Sequence, residues 1–236
     1  MSTALILGAS GATGKPLLRN ILQSERFAKV ISVGRKEIAY DGPNKEKLEQ
    51  KLVDFENLEQ HKEAFVGYDV VFCTLGTTRA NAGSAERFVA IDKGYVINSA
   101  KLIRAQNPNR PIHYLYCSSG GANANSMILY SRTKGEIEKE LGEIGFSRVS
   151  IFQPGFLEVN EKRADRGLIH NITLGVAIGA MKLFRMKYYI NVETLATAIH
   201  RWGIGETKGV TVESKTLENG TQFEILTQNH LYQLAE

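Results

Sequence analysis

The stretch Leu5-Ile6-Leu7-Gly8-Ala9-Ser10-Gly11-Ala12-Thr13-Gly14 constrains this chain more than any other. Ala4 to Leu7 is an apolar run that reads as a buried strand, and Leu17, Leu18, Ile21 and Leu22 follow at helical spacing. The order is strand, glycine turn, helix. Gly8 suits the positive φ of a tight turn, Gly11 leaves room for a pyrophosphate against bare backbone, and Gly14 lets the helix pack close to the strand. The free N–H groups and the positive dipole end of the helix then face phosphates. Glycine turns alone are common; the strand before and the helix after make this one specific.

The same fingerprint predicts the fold class: an α/β, doubly wound, mostly parallel Rossmann sheet with a small C-terminal elaboration around a substrate cleft. A length of 236 residues suits a single domain over 1–236, with a cofactor part to about residue 155 and a substrate or lid part from about 156 to 236. Val30–Val33 reads as the second strand, Lys51–Phe55 as the third, Val70–Thr74 as the fourth, Ile112–Cys117 as the fifth, Val149–Phe152 as the sixth and Gln222–Leu226 as a late strand. Residues 40–50 read as loop and solvated surface. Ala85–Gln106 reads as one long helix, and a further helix starts near Asn191 and runs through about Trp202.

Net charge is +4 with a pI near 9.0, which suits an anionic ligand such as a phosphorylated cofactor. No run of five or more Lys/Arg occurs, which argues against nucleic acid as a partner. Cys73 and Cys117 end apolar runs and read as buried, reduced thiols of a reducing compartment; they form no metal or disulfide pattern. Two residues precede the first strand, which leaves no room for a cleaved signal or presequence. The longest apolar stretch, Leu168–Phe184, is interrupted by His170, Asn171, Thr173 and Lys182. It reads as a packed helix flanking the cleft, with peripheral membrane contact through 168–187 (Lys182, Arg185, Lys187) as the alternative.

Positions just beyond the strand ends carry the ligand expectations. Arg35 follows the second strand, where a carboxylate would repel a 2′-phosphate; its planar fork of donors favours NADP(H) over NAD(H), the alternative being a solvated surface arginine. Glu37 is taken as exposed. Asp54, beside Phe55, either bonds an adenine amino group or caps the helix beginning near Leu58. Leu75-Gly76-Thr77 follows the fourth strand, and Gly76 permits close approach of backbone to cofactor. Asn98 either holds an active-site water or is a satisfied buried amide.

Ser118-Ser119-Gly120-Gly121 follows the fifth strand, and Tyr130 comes 11 residues after Ser119. Tyr130 and Lys134 are four apart, on one helical face. Pro154-Gly155-Phe156-Leu157 follows the sixth strand, where a turn would face the nicotinamide. The whole order of Gly8-x-x-Gly11-x-x-Gly14, Ser119, Tyr130, Lys134 and Pro154-Gly155 resembles the short-chain dehydrogenase/reductases. Cys73-Thr74-Leu75-Gly76-Thr77-Thr78-Arg79, with Tyr130–Glu138 and Phe152–Leu157, looks like the Tat-interacting protein 2 family, an atypical branch that includes fungal proteins of the mitochondrial outer membrane. The resemblance spans roughly residues 3–205. The gap from serine to tyrosine is shorter than in classical members, so Ser118 is an alternative to Ser119.

The resemblance implies NADPH binding and a reductase activity on a carbonyl: aldehyde, ketone or quinone. Tyr130 would be the acid that protonates the substrate oxygen, Lys134 would set a positive charge beside that phenol and bond the nicotinamide ribose, and Ser119 would orient the substrate oxygen. The cofactor contacts expected are Gly8, Ser10, Gly11, Ala12, Thr13, Gly14, Arg35, Asp54, Phe55, Leu75, Gly76, Thr77, Tyr130, Lys134, Pro154, Gly155, Phe156 and Leu157. A different class of function, an NADPH-sensing regulatory protein with little turnover, uses the same fingerprint. The expected state is monomer or homodimer, on the cytoplasmic side or peripheral to the mitochondrial outer membrane.

Overall fold

Alternate side chains of the first strand enter two separate cores. The computed structural model describes residues 2–159 and 188–236. In β1 (Ser2–Leu7), Leu5 and Leu7 pack to one side of the sheet and Ala4 and Ile6 to the other, all four fully buried. A strand covered on both faces needs apolar residues at every position, which is why Ala4–Leu7 shows no polar alternation.

The remaining strands are β2 (Phe27–Gly34), β3 (Leu48–Leu52), β4 (Val70–Cys73), β5 (His113–Cys117), β6 (Arg148–Gln153), β7 (Phe156–Glu158), β8 (Tyr189–Asn191), β9 (Ser214–Thr216) and β10 (Gln222–Thr227). Among the described residues, eight of them form one sheet in the order β3-β2-β1-β4-β5-β6-β10-β9. Every pairing in it is parallel except β9 with β10, and β7 pairs with β8 in a small parallel sheet. One core lies under α1 (Gly14–Gln23), α6 (Val192–Ile204) and α7 (Gln228–Ala235). The other lies under a 3-10 stretch (Leu58–Phe65), α4 (Tyr95–Gln106) and α5 (Leu129–Glu143). This is the doubly wound, mostly parallel α/β sheet that the sequence predicts. The chain moves from one side of β1 to the other between β3 and β4, so a crevice opens beyond the carboxyl ends of β1 and β4.

Some elements differ from the sequence reading. The third strand is Leu48–Leu52 rather than 51–55, and the loop predicted for 40–50 ends early in a 3-10 turn at Lys45–Lys47. Register decides this: β2 ends at Gly34, opposite Leu52, and the chain then leaves the sheet to bury Val53 and Phe55. An edge strand that is half exposed carries little apolar signal. The helix predicted for 85–106 is α3 (Ala85–Val89), a π turn (Ala90–Gly94) and α4, preceded by the short α2 (Arg79–Ala82). Asn98 is exposed on α4 and so is not the buried amide of the sequence reading. Cys73 is buried, Cys117 is partly exposed, and both are free. Residues 168–187, with Lys182, Arg185 and Lys187, lie outside the described residues. Among those described, no helix is long and apolar enough to cross a membrane.

Candidate active site

The glycine turn fits a diphosphate for steric reasons visible at each glycine. Gly8 has φ +86°, and a Cβ there would meet the Thr74 carbonyl carbon at 2.7 Å and the Leu75 nitrogen at 2.8 Å. The turn after β1 is thus pressed against the turn after β4, and the Thr74 hydroxyl donates to the Leu7 and Gly8 carbonyls at 3.2 Å each. A Cβ on Gly14 would lie 2.0 Å from the Gly8 carbonyl oxygen, so only glycine lets α1 sit this close to β1. The Gly11 N–H donates to the Gly8 carbonyl at 2.9 Å, closing the turn. No side chain caps the N-terminus of α1, and its first turn holds no acid. Ser10 is exposed, Gly11 and Ala12 are partly exposed, and Thr13 is buried. The Gly11 carbonyl takes the Lys15 N–H at 3.0 Å and Pro16 has no N–H, so the amides suited to a pyrophosphate are those of the turn at Ala12, Thr13 and Gly14, with no competing carboxylate.

Arg35 is exposed directly after β2, with Glu37 also exposed. Asp54 is exposed; its carboxylate accepts the Glu56 N–H at 3.0 Å and the Asn57 amide at 2.7 Å. The Asn57 bond, then the Glu56 bond, hold its carboxyl below the ordinary range. Asn57, not Asp54, is the N-cap residue of the 3-10 stretch, so the capping alternative becomes a turn immediately before it. The Phe55 ring is buried and stacked on Tyr95 at 5.0 Å, which leaves main chain rather than ring for a ligand at that position.

Tyr130 and Lys134 lie one turn apart on α5, and the two serines lie in the turn after β5. Lys134 is 4% exposed, and its Nζ lies 5.9 Å from the Tyr130 ring centroid. It donates to the Tyr116 hydroxyl at 2.9 Å and pairs with Asp92 Oδ2 at 2.8 Å. Burial works against its charge, but the oxygens of Tyr116, Asp92 and Tyr130 more than offset this and hold the ammonium well above the ordinary lysine range. Tyr130 is 43% exposed and tilts against the Phe88 ring at 6.0 Å.

The two serines have different surroundings. Ser118 is buried and its hydroxyl donates to Glu138, which also takes the Gln153 amide at 3.0 Å on each oxygen. Burial raises the Glu138 carboxyl above its ordinary value despite these bonds. Ser119 is partly exposed, and its hydroxyl donates to the neighbouring Gly120 carbonyl at 3.1 Å. The Gly120 N–H donates to the Pro154 carbonyl at 2.6 Å, which brings the turn after β6 beside the serine loop. Gly155 packs where a Cβ would lie 2.1 Å from the Tyr188 carbonyl oxygen, and its N–H donates to Gln228 at 2.8 Å. Phe156 is exposed and Leu157 partly exposed on β7.

Sequence reasoning missed four contributors. Asp92, Tyr116 and Glu138 surround the lysine and the serine, and Gly135 lets the short serine-to-tyrosine loop lie on α5, since a Cβ there would be 2.1 Å from the Ala124 nitrogen. Glu138 had a legible signal: it repeats the four-residue step of Tyr130 and Lys134. Asp92 had none. An open groove of about 770 Å3 between α4 and α5 is lined by residues such as Lys101, Arg104, Glu136 and Glu140, none of them a predicted site residue. Among the described residues no group of His, Cys, Asp or Glu is arranged to hold a metal ion.

An NAD(P)H-binding family matches residues 8–169. The chain is 42% identical to protein HTATIP2 of Rattus norvegicus over 165 residues, 70% of this chain and 66% of that protein. It is 33% identical to the mitochondrial protein FMP52-1 of Scheffersomyces stipitis over 174 residues, 74% of this chain and 75% of that protein. Among solved structures, a short chain dehydrogenase family protein from Francisella tularensis superposes with a TM-score of 0.63 at 16% identity, covering 98% of each chain, a likeness of fold. The family match and these relatives place the chain in the NAD(P)H-binding Tat-interacting protein 2 family, with a short-chain-dehydrogenase-like fold.

Proposed function

We propose that this protein is an NADPH-dependent oxidoreductase that reduces a carbonyl group of an aldehyde, ketone or quinone. One observation carries the reading. A buried, charged lysine stands 5.9 Å from the ring of a part-exposed tyrosine and against Gly76 in the loop after β4, the strand whose following turn is pressed on the glycine turn. When bound, the reduced nicotinamide supplies the hydride. The chain's residues do the rest. The free amides of the glycine turn and the start of α1 would hold the diphosphate, and Arg35, exposed directly after β2, would offer its fork of donors to a ribose 2′-phosphate. Ser119 orients the substrate oxygen by a hydrogen bond. Tyr130 gives that oxygen its proton as negative charge develops there, and Lys134 stabilises the phenolate left behind.

The test uses calorimetry and coenzyme oxidation across a panel of aldehydes and quinones. NADPH should bind at least tenfold tighter than NADH, and Arg35→Ala should remove most of that preference. Tyr130→Phe should keep NADPH affinity within threefold and lose turnover by about 10²–10⁴. Turnover retained in Tyr130→Phe would remove that residue from the role, and tight NADPH binding with no turnover over the panel would make the protein a nucleotide sensor. Peripheral membrane docking through residues 168–187 is a separate reading, and failure to co-sediment with anionic liposomes would end it.

A further inference from the structure

The buried acid Asp92 has no part in the reading above, yet it touches both halves of the crevice. It is fully buried, and it sits in the π turn between α3 and α4. A π turn inserts one residue into a helix, and such turns are frequent at functional sites. Phe88, which packs on Tyr130, and Asp92 are both turned inward here, at 1% and 0% exposure. Asp92 Oδ1 accepts the Thr77 N–H at 2.7 Å, from the loop after β4. Its Oδ2 pairs with Lys134 at 2.8 Å. Between the two runs Gly76, where a Cβ would stand 3.2 Å from Asp92 Oδ1 and 3.5 Å from Lys134 Nζ. Loop, acid and lysine are therefore packed together, and a methyl group on Gly76 would press on the carboxylate and touch the ammonium.

We propose that Asp92 is a positioning residue for this site: one carboxylate fastens the Leu75–Thr77 cofactor loop to Lys134 and keeps that ammonium charged and aimed at Tyr130. This rests on the reductase reading for its effect on rate, but the pairing itself is testable without turnover. A buried lysine without a counter-ion tends to lose its proton. The groups facing Lys134 are Tyr116 and Cys117 from β5, Cys73 from β4, Tyr130 and Glu138 from its own helix, and Asp92. Burial pushes the Cys73 thiol up to about 11 and the Cys117 thiol up to about 12, so neither supplies a negative charge at neutral pH. Glu138 is engaged by Ser118 and Gln153. Among the described residues, Asp92 is the carboxylate in direct contact with the ammonium.

Asp92→Asn keeps an acceptor for the Thr77 N–H and deletes the charge. Followed by the 13C signal of Lys134 Cε, the lysine should lose its proton at least one pH unit lower in the variant than in the wild type, a tenfold change in the equilibrium. With a carbonyl substrate that the wild type turns over, kcat should fall at least tenfold, the KM for that substrate should stay within threefold, and the alkaline limb of the rate profile should move to lower pH. An unchanged lysine titration overturns the proposal, whatever happens to activity. A wild type with no turnover sinks the reductase reading alone, since the titration still decides the pairing. Should Asp92→Asn not fold, Lys134→Met tests the contact from the other side. That variant leaves the acid buried without its partner, so adding Asp92→Asn to it should raise the melting temperature. A double variant no more stable than Lys134→Met would also overturn the pairing.

Discussion

Adding one methyl group at Gly14 should disable the phosphate cradle, and the size of the effect follows from a distance. A Cβ at Gly14 would sit 2.0 Å from the Gly8 carbonyl oxygen and 2.8 Å from Ala9 Cα. Both are backbone atoms, so no side chain can swing aside. Restoring ordinary contact needs α1 and the Gly8 turn to separate by about 1.4 Å. An amide placed about 2.9 Å from a phosphate oxygen would then stand beyond 4 Å, outside hydrogen-bond range. Each charge-assisted bond of this kind contributes about 1.5–3 kcal/mol, so losing one weakens binding about 10- to 150-fold. Overpacking of this kind also costs about 1–3 kcal/mol of stability, a drop of about 2–10 °C in Tm for a domain of this size. Calorimetric titration of NADPH and thermal unfolding of Gly14→Ala measure both. Gly94→Ala is the control: at φ −57°, with nothing within 4 Å of the added atom, it should gain about 0.5–1 kcal/mol from helix propensity. A Gly14→Ala protein that binds NADPH within twofold of wild type at an unchanged Tm would refute the steric argument.

The two serines should separate cleanly. Ser118→Ala takes a donor from the buried Glu138 and should cost about 1–3 kcal/mol of stability by urea unfolding, while Ser119→Ala should leave stability within about 0.5 kcal/mol and lower kcat/KM at least tenfold; the opposite pattern would exchange their roles. His113 makes stability fall in acid. Burial, then the nearby Arg148 charge, depress its pKa to about 3, and its ring nitrogen stands 2.6 Å from the Ser150 hydroxyl, which in turn bonds Glu224. The unfolded chain, with an ordinary histidine, therefore takes up the proton first as pH drops. The contribution is complete above about pH 6.5 and is lost toward pH 3, about 3 kcal/mol of it by pH 4.5. Urea unfolding at pH 7.5 and 4.5 should show a smaller pH dependence in His113→Gln than in wild type, and equal dependence in the two would refute it.

The sequence by itself determined what depends on neighbours along the chain. Gly8, Gly11 and Gly14 act through their own backbone and the turn they form, and Tyr130 and Lys134 share a face because a helix repeats every 3.6 residues. The apolar runs of β1, β4 and β5 announce strands covered on both sides, and that pattern predicts the doubly wound sheet. What only the tertiary structure decided depends on contacts between distant segments. The edge strand β3 starts at Leu48 because β2 sets its register, and a half-exposed strand has no periodicity that marks its ends. Asp92 reads in sequence as an ordinary helix-surface acid, and becomes the counter-ion of Lys134 because a π turn rolls it inward onto a helix that arrives much later in the chain. Ser118 and Ser119 are adjacent and chemically identical, and their environments diverge only because the buried Glu138 takes the hydroxyl of the first. A buried charge is stable only with its partner present, and which partner that is depends on how the chain packs.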